Sequence, residues 1–129
     1  MIPLFVHKSP RLLKAIYAPF VWNIPTEEKV LYLTFDDGPI PDVTEWVLEK
    51  LENVGAKGTF FCIGDNVQKH PEIFAKLIAK GHSIGNHTFN HLKGWNTQDE
   101  MYWENVAQCK QILPVQTNLF RPPYGRIKL

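Results

Sequence analysis

A chain of 129 residues, 44% hydrophobic and 21% charged, has the length and apolar content of one globular domain. Its formal net charge of +1, with no long run of one sign, gives no electrostatic basis for nucleic-acid binding. No segment is long enough to span a membrane, so a transmembrane segment is not expected.

The N-terminal stretch MIPLFVHKSPRLLKAIYAPFVW is apolar but interrupted by His7, Lys8, Pro10, Arg11 and Lys14. A secretory signal needs a longer apolar core, which favours the cytoplasm. The stretch reads as a short amphipathic surface helix, and residues 1–28 as an N-terminal extension. From residue 29 to residue 129 the pattern is that of a folded domain. Two cysteines, Cys62 and Cys109, make no disulfide framework and read as buried free thiols.

VLYLTF, residues 30 to 35, is a nearly continuous apolar run of β-formers, expected to be a strand buried on both faces. DDGPIPD follows and is dense in turn formers. Val43, Val47, Leu48, Leu51 and Val54 then share one helical face, with Asp42 and Glu45 placed as a capping pair and Gly55 as the stop. GTFFCI, residues 58 to 63, reads as a second buried strand.

Pro71 suits the first position of a helix whose apolar face is Ile73, Phe74, Leu77 and Ile78, with Gly81 at its end. A short strand from His82 to Gly85 follows. Thr97 and Glu100 have capping-box spacing for a helix bearing Tyr102, Val106, Cys109 and Ile112 on one side. TNLFR, residues 117 to 121, is a fourth strand that runs into Pro122 and Pro123. Strands alternating with helices imply a parallel sheet with right-handed crossovers.

Three polar clusters follow predicted strands, where parallel α/β folds gather functional residues. Asp36-Asp37 alone could be turn chemistry, but two adjacent carboxylates are most easily kept ionised beside a metal or an arginine. HSIGNHTFNH, residues 82 to 91, places His87 and His91 four apart, on one face of a helical turn, a spacing that lets two imidazoles hold one metal. By itself that spacing is a weak signal. His82 and His70 read as structural, and His7 as surface. In RPPYG, residues 121 to 125, Arg121 can bind a carboxylate bidentately, and the prolines can aim the backbone N–H of Tyr124. Together the clusters supply metal ligands, a base and an arginine to orient it, the set needed for metal-assisted hydrolysis.

TFDDGP, His87-Thr88-Phe89-Asn90-His91 and Arg121-Pro122-Pro123-Tyr124 resemble, in order and spacing, the three N-terminal motifs of the polysaccharide deacetylase family (NodB-homology domain, carbohydrate esterase family 4). TFFCIG resembles that family's second strand. The resemblance covers roughly residues 29 to 125. It implies an α/β fold, about the first four strands of a distorted parallel (β/α) barrel. It also implies metal-dependent removal of acetyl groups from an acetylated glycan.

By matching positions, Asp37, His87 and His91 would hold a divalent metal, commonly zinc. Asp36 would be the general base and Arg121 would hold it in place. The backbone N–H of Tyr124 would face the oxyanion, and Thr88 would support the histidine loop. The family's later motifs, which supply a general-acid histidine and its aspartate, have no match before Leu129. The expectation is a domain whose C-terminal part is missing.

An N-deacetylase of a chitin-like or peptidoglycan-like glycan is the leading reading. An O-acetyl esterase and a glycan-binding module without turnover are the alternatives. Among the tryptophans, Trp46 and Trp103 read as packing residues, and Trp95 as a surface that could stack on sugar.

Overall fold

The computed structural model describes residues 10–126 and 128, so the expectation for His7 lies outside the described residues. The chain divides into two compact units, one up to Leu31 and one from Tyr32. The first contains α1 (Arg11–Ile16), which buries none of its residues, as a surface helix should. Here the Trp22 indole N–H donates to the Tyr17 carbonyl at 3.0 Å. Among the described residues no helix is long and apolar enough to cross a membrane.

The second unit is built on a three-stranded sheet in the order β1 (Leu33–Asp36), β2 (Gly58–Cys62), β3 (Ser83–Asn86). Both pairings are parallel, with Leu33 opposite Gly58 and Thr59 opposite Ser83. The crossover from β1 to β2 is α2 (Val43–Asn53). That from β2 to β3 carries α3 (Gly64–Lys69) and α4 (Pro71–Ala79), and α5 (Asp99–Ile112) follows β3. The predicted α/β alternation is therefore present.

The central strand β2 is the most apolar and the most buried. Its Phe60 stacks on Phe35 of β1, ring centroids 4.8 Å apart. Phe60 packs in one core with Leu48 and Leu51 of α2, Phe74 and Leu77 of α4, Ile84 of β3 and Cys109 of α5. Each of these fully buried side chains contributes about 1.5–3 kcal/mol relative to exposure. Both cysteines are free and buried, and burial pushes Cys62 up to about 12 and Cys109 to about 11. Their thiolates are thus unavailable at neutral pH.

Several sequence expectations need correction. The run from residue 30 is not a strand buried on both faces. Strand structure begins at Leu33, and Val30, Leu31, Tyr32 and Leu33 are exposed. Among the described residues β1 pairs only with β2, so it is an edge. The fourth strand reduces to one parallel bridge between Asn86 and Phe120. Asn86 N–H donates to Leu119 and Arg121 N–H to Asn86, and the prolines at 122 and 123 offer no further donor.

Asp42 does not cap α2. Its φ of 62° is outside the extended geometry a cap needs, and Thr44 Oγ1 instead accepts the Ile40 N–H at 2.8 Å. Thr97 does not cap α5 either, because its hydroxyl donates to the Lys93 carbonyl at 2.9 Å, in a 3-10 turn at Gly94–Asn96. Val43, Val54, Trp46 and Trp103 are exposed and do not pack in the core. Helix α3 was not anticipated. It lacks an apolar stripe long enough to register as periodic.

His82 is structural, as expected, and sets a pH dependence. Its Nδ1 accepts the Gly58 N–H at 3.1 Å, and its ring meets Phe60 edge-on. Burial first, then Lys57 and Lys80, push its pKa below the ordinary value. The unfolded imidazole therefore takes up a proton more readily than the folded one. Its contribution to stability is complete above the unfolded pKa of about 6.5 and is lost as pH falls through the lower folded value. Urea midpoints should drop between pH 7.5 and 5.5, and His82→Gln should flatten that drop. An equal drop in the variant would remove His82 as the cause.

Candidate metal centre

All three polar clusters meet at the C-terminal ends of the strands. Asp36 closes β1 and Asp37 follows it at φ 69°. This left-handed step turns the two neighbouring carboxylates to different partners. Asn66 Nδ2, on the unanticipated α3, donates to the Asp37 carbonyl at 2.7 Å.

His87 and His91 are not on a helical turn. They lie in the loop after β3, with Thr88 at φ 65° and His91 at φ 57°. This loop is held from both sides. The first two N–H groups of α3, which have no partner within their own helix, donate to Thr88 and Phe89 carbonyls at 3.0 Å each. Helix α3 can come this close because residue 64 is glycine: a Cβ there would sit 2.5 Å from the Phe89 ring.

From α5, the buried Asn105 side chain accepts the N–H of Phe89 at 2.8 Å and of Asn90 at 2.9 Å, and donates to Asn90 Oδ1 at 2.9 Å. Asn86 Oδ1 accepts the Thr88 N–H, and Thr88 Oγ1, fully buried, accepts that of Leu92. Thr88 thus sits where a loop support is needed.

The result is convergence. His87 Nε2 lies 3.3 Å and His91 Nε2 3.1 Å from the same oxygen, Asp37 Oδ1. A ligand atom from each of the three residues lies within 4.8 Å of the others. His87 Nδ1 is 2.7 Å from the Arg121 carbonyl. A carbonyl only accepts, so Nδ1 carries the proton. That leaves Nε2 facing Asp37 Oδ1, the nitrogen with which a histidine so anchored through Nδ1 can ligate a metal. Two imidazole nitrogens and one carboxylate with a fixed tautomer fit a divalent metal, and leave coordination positions open.

Beside this cluster stands the second carboxylate. Arg121 Nη1 donates to Asp36 Oδ1 at 2.7 Å and to Thr34 Oγ1 at 3.1 Å. Its guanidinium lies 4.1 Å from the centroid of the Phe61 ring. Phe61 in turn needs Gly85, where a Cβ would come within 2.4 Å of that ring. Arg121 therefore uses its side chain on Asp36 and its carbonyl on His87, tying both to one residue. Tyr124, at φ 60°, packs its ring on His91 with centroids 4.7 Å apart.

All six residues predicted for the site are thus brought together. Trp95 is exposed, with the Arg126 guanidinium 4.7 Å over its ring. Thr34, Phe61, Gly85, Asn66 and Asn105 are supporting residues that sequence reasoning missed. Asn105 had no signal at all, being one polar residue on a helix, 16 and 15 residues after the Phe89 and Asn90 it holds.

A prediction follows for Asn105. Replacing it with alanine leaves two loop N–H groups without their side-chain acceptor. Metal affinity should fall by about ten- to hundredfold, the usual cost of losing an outer partner of a ligand. A zinc titration against a competing chelator checks this, and unchanged affinity would show that the loop holds itself.

The arrangement defines a class of site: two histidines and a carboxylate set to hold a metal, flanked by an arginine-held carboxylate. The family profile for polysaccharide deacetylase matches residues 23–128. The chain belongs to the polysaccharide deacetylase family. It is 41% identical over 109 residues to a peptidoglycan-N-acetylglucosamine deacetylase of Bacillus cereus, covering 82% of this chain and 51% of that protein. It is 46% identical over 111 residues to a chitooligosaccharide deacetylase of Azorhizobium caulinodans, covering 80% and 51%. The solved structure of the peptidoglycan deacetylase PdaC from Bacillus subtilis matches with a TM-score of 0.74 at 31% identity, covering 81% of this chain and 54% of that one. The chain spans about half the length of the curated relatives it matches.

Proposed function

We propose that this chain carries the metal centre and the base of an N-deacetylase that acts on an acetylated amino-sugar glycan, chitin-like or peptidoglycan-like. The observation that carries the proposal is the meeting of Asp37, His87 and His91 on one point beside the Arg121–Asp36 pair. Names of the relatives support the amide bond and the amino sugar. Zinc is the proposed metal, since two imidazoles and a carboxylate with open positions suit it.

Asp37, His87 and His91 would hold the ion. A divalent cation there supplies Lewis acidity, lowering the pKa of a water and polarising the acetyl carbonyl. The chain's own residues do the rest. Arg121 fixes Asp36 so that one carboxylate oxygen is spoken for and the other can take a proton from the attacking water. The backbone N–H of Tyr124, held by two preceding prolines, is the proposed donor to the developing oxyanion. The leaving nitrogen then needs a proton. The family resemblance assigns that step to a later-motif histidine, for which residues 1–129 hold no match.

The test is acetate release by the full-length, metal-loaded protein from N-acetylated chito-oligosaccharides and peptidoglycan fragments, set against acetylated xylan. Release from the amino sugars and not from xylan is expected. The reverse preference would make the protein an O-acetyl esterase, and glycan binding without release a binding module. Failure to bind a divalent metal after loading would end the proposal.

A further inference from the structure

Asp36, Phe61 and Gly85 form one rung of the sheet. Asp36 of β1 is paired with Phe61 of β2, and Phe61 with Gly85 of β3. Side chains alternate along a strand, so Phe61 points to the face opposite Phe60 and Cys62. Those two belong to the core of the domain. Phe61 is buried, at 7% exposed, yet lies outside that core. Over its ring lies the Arg121 guanidinium, 4.1 Å from the centroid. Arg121 follows Phe120, which bridges to Asn86 of β3, so its side chain reaches Asp36 on β1 by passing over the middle strand.

Hydrogen bonds alone do not fix this guanidinium. Both of its side-chain bonds, to Asp36 Oδ1 at 2.7 Å and to Thr34 Oγ1 at 3.1 Å, fall on one nitrogen, Nη1. Bonds at one terminal nitrogen let the planar group pivot about it, whereas a two-nitrogen fork would set its plane. The pair is also part-exposed, with side chains 35% and 38% accessible, and water weakens an ion pair of that kind. The ring supplies the missing constraint, because an aromatic face attracts a guanidinium placed over it. Gly85 makes the arrangement possible, since a Cβ there would collide with the Phe61 ring at 2.4 Å.

We infer that Phe61 is a positioning residue for the reaction. Its ring holds Arg121 at the height and orientation that engage one oxygen of Asp36 and leave the other free. It acts through Arg121 rather than on the substrate. The inference rests on the deacetylase reading above and deepens it.

The full-length, zinc-loaded protein tests it. Phe61→Leu keeps an apolar side chain in place and removes the aromatic face. Its kcat for acetate release from an N-acetylglucosamine tetramer should fall by up to about a hundredfold, the scale of a small misplacement near reacting atoms. KM and zinc affinity should stay near the wild-type values, and Phe61→Tyr should restore kcat. If the leucine protein does not fold, Phe61→Met takes its place in the same comparison. A double-mutant cycle with Arg121→Ala separates positioning from packing. In the alanine background the leucine substitution should cost little, because no guanidinium remains for the ring to hold. A readout independent of turnover is the ring-current shift of the Arg121 side-chain protons, expected in the wild type and in Phe61→Tyr and absent in Phe61→Leu.

An equal loss of kcat in the wild-type and Arg121→Ala backgrounds overturns the inference and leaves the deacetylase reading in place. So does a Phe61→Leu protein with wild-type kcat, or Arg121 resonances that the leucine substitution does not move. No acetate release by the wild-type protein overturns the deacetylase reading, and the Arg121 resonances then decide by themselves whether Phe61 holds the guanidinium.

Discussion

Asp37→Ala should weaken binding of a divalent metal by at least about a hundredfold, since loss of an outer partner alone can reach that figure. Asp37 Oδ1 is the point on which both imidazole nitrogens converge. Without it two neutral nitrogens remain, with no anionic ligand to offset the cation. Zinc competition titration measures the loss, and the visible spectrum of the cobalt-loaded protein should lose its intensity in parallel. Asp36→Ala is the control. Its carboxylate is engaged by Arg121, so metal affinity should change little. Equal losses in the two variants would refute the division of labour between these neighbours.

The second large effect is on rate. Asp36→Asn keeps the shape of the side chain but cannot accept a proton as a carboxylate does. Acetate release by the full-length, metal-loaded protein should fall by about 10²–10⁴, the usual contribution of a positioned acid or base. Metal affinity should be retained, which separates this variant from Asp37→Ala. Arg121→Lys should lie between them. A lysine can still neutralise Asp36, but it cannot also reach Thr34 with a planar fork or spread over the Phe61 ring. An Asp36→Asn enzyme with full activity would sink the assignment of the base.

Much of this site was readable because its chemistry is concentrated in short runs. TFDDGP, NHTFNH and RPPY each hold their reacting groups within a few residues, right after an apolar run that makes a strand. Where structure differed, a local rule met a tertiary partner. Four-residue spacing suggested a helical turn for His87 and His91. Their loop is instead shaped by hydrogen bonds from α3 and from Asn105 on α5. Capping patterns at Asp42 and Thr97 failed because Asp42 sits at a left-handed φ of 62° and the Thr97 hydroxyl donates to Lys93 across a 3-10 turn. The apolar run at residue 30 predicted burial, yet among the described residues β1 has a strand beside it on one side only.

Two adjacent carboxylates, two histidines, an arginine and the alternation that places them on one rim were legible in the sequence, since strand ends and residue chemistry are local properties. Only the tertiary structure decided which partner each group faces. Asp36 turns to Arg121 and Asp37 to the histidines because a left-handed step at Asp37 separates them. His87 presents Nε2 because the carbonyl of Arg121, 34 residues away in the chain, holds its other nitrogen. Such pairings depend on distances that sequence separation does not encode. They arise where β3 and the RPPY loop lie side by side across the Asn86–Phe120 bridge.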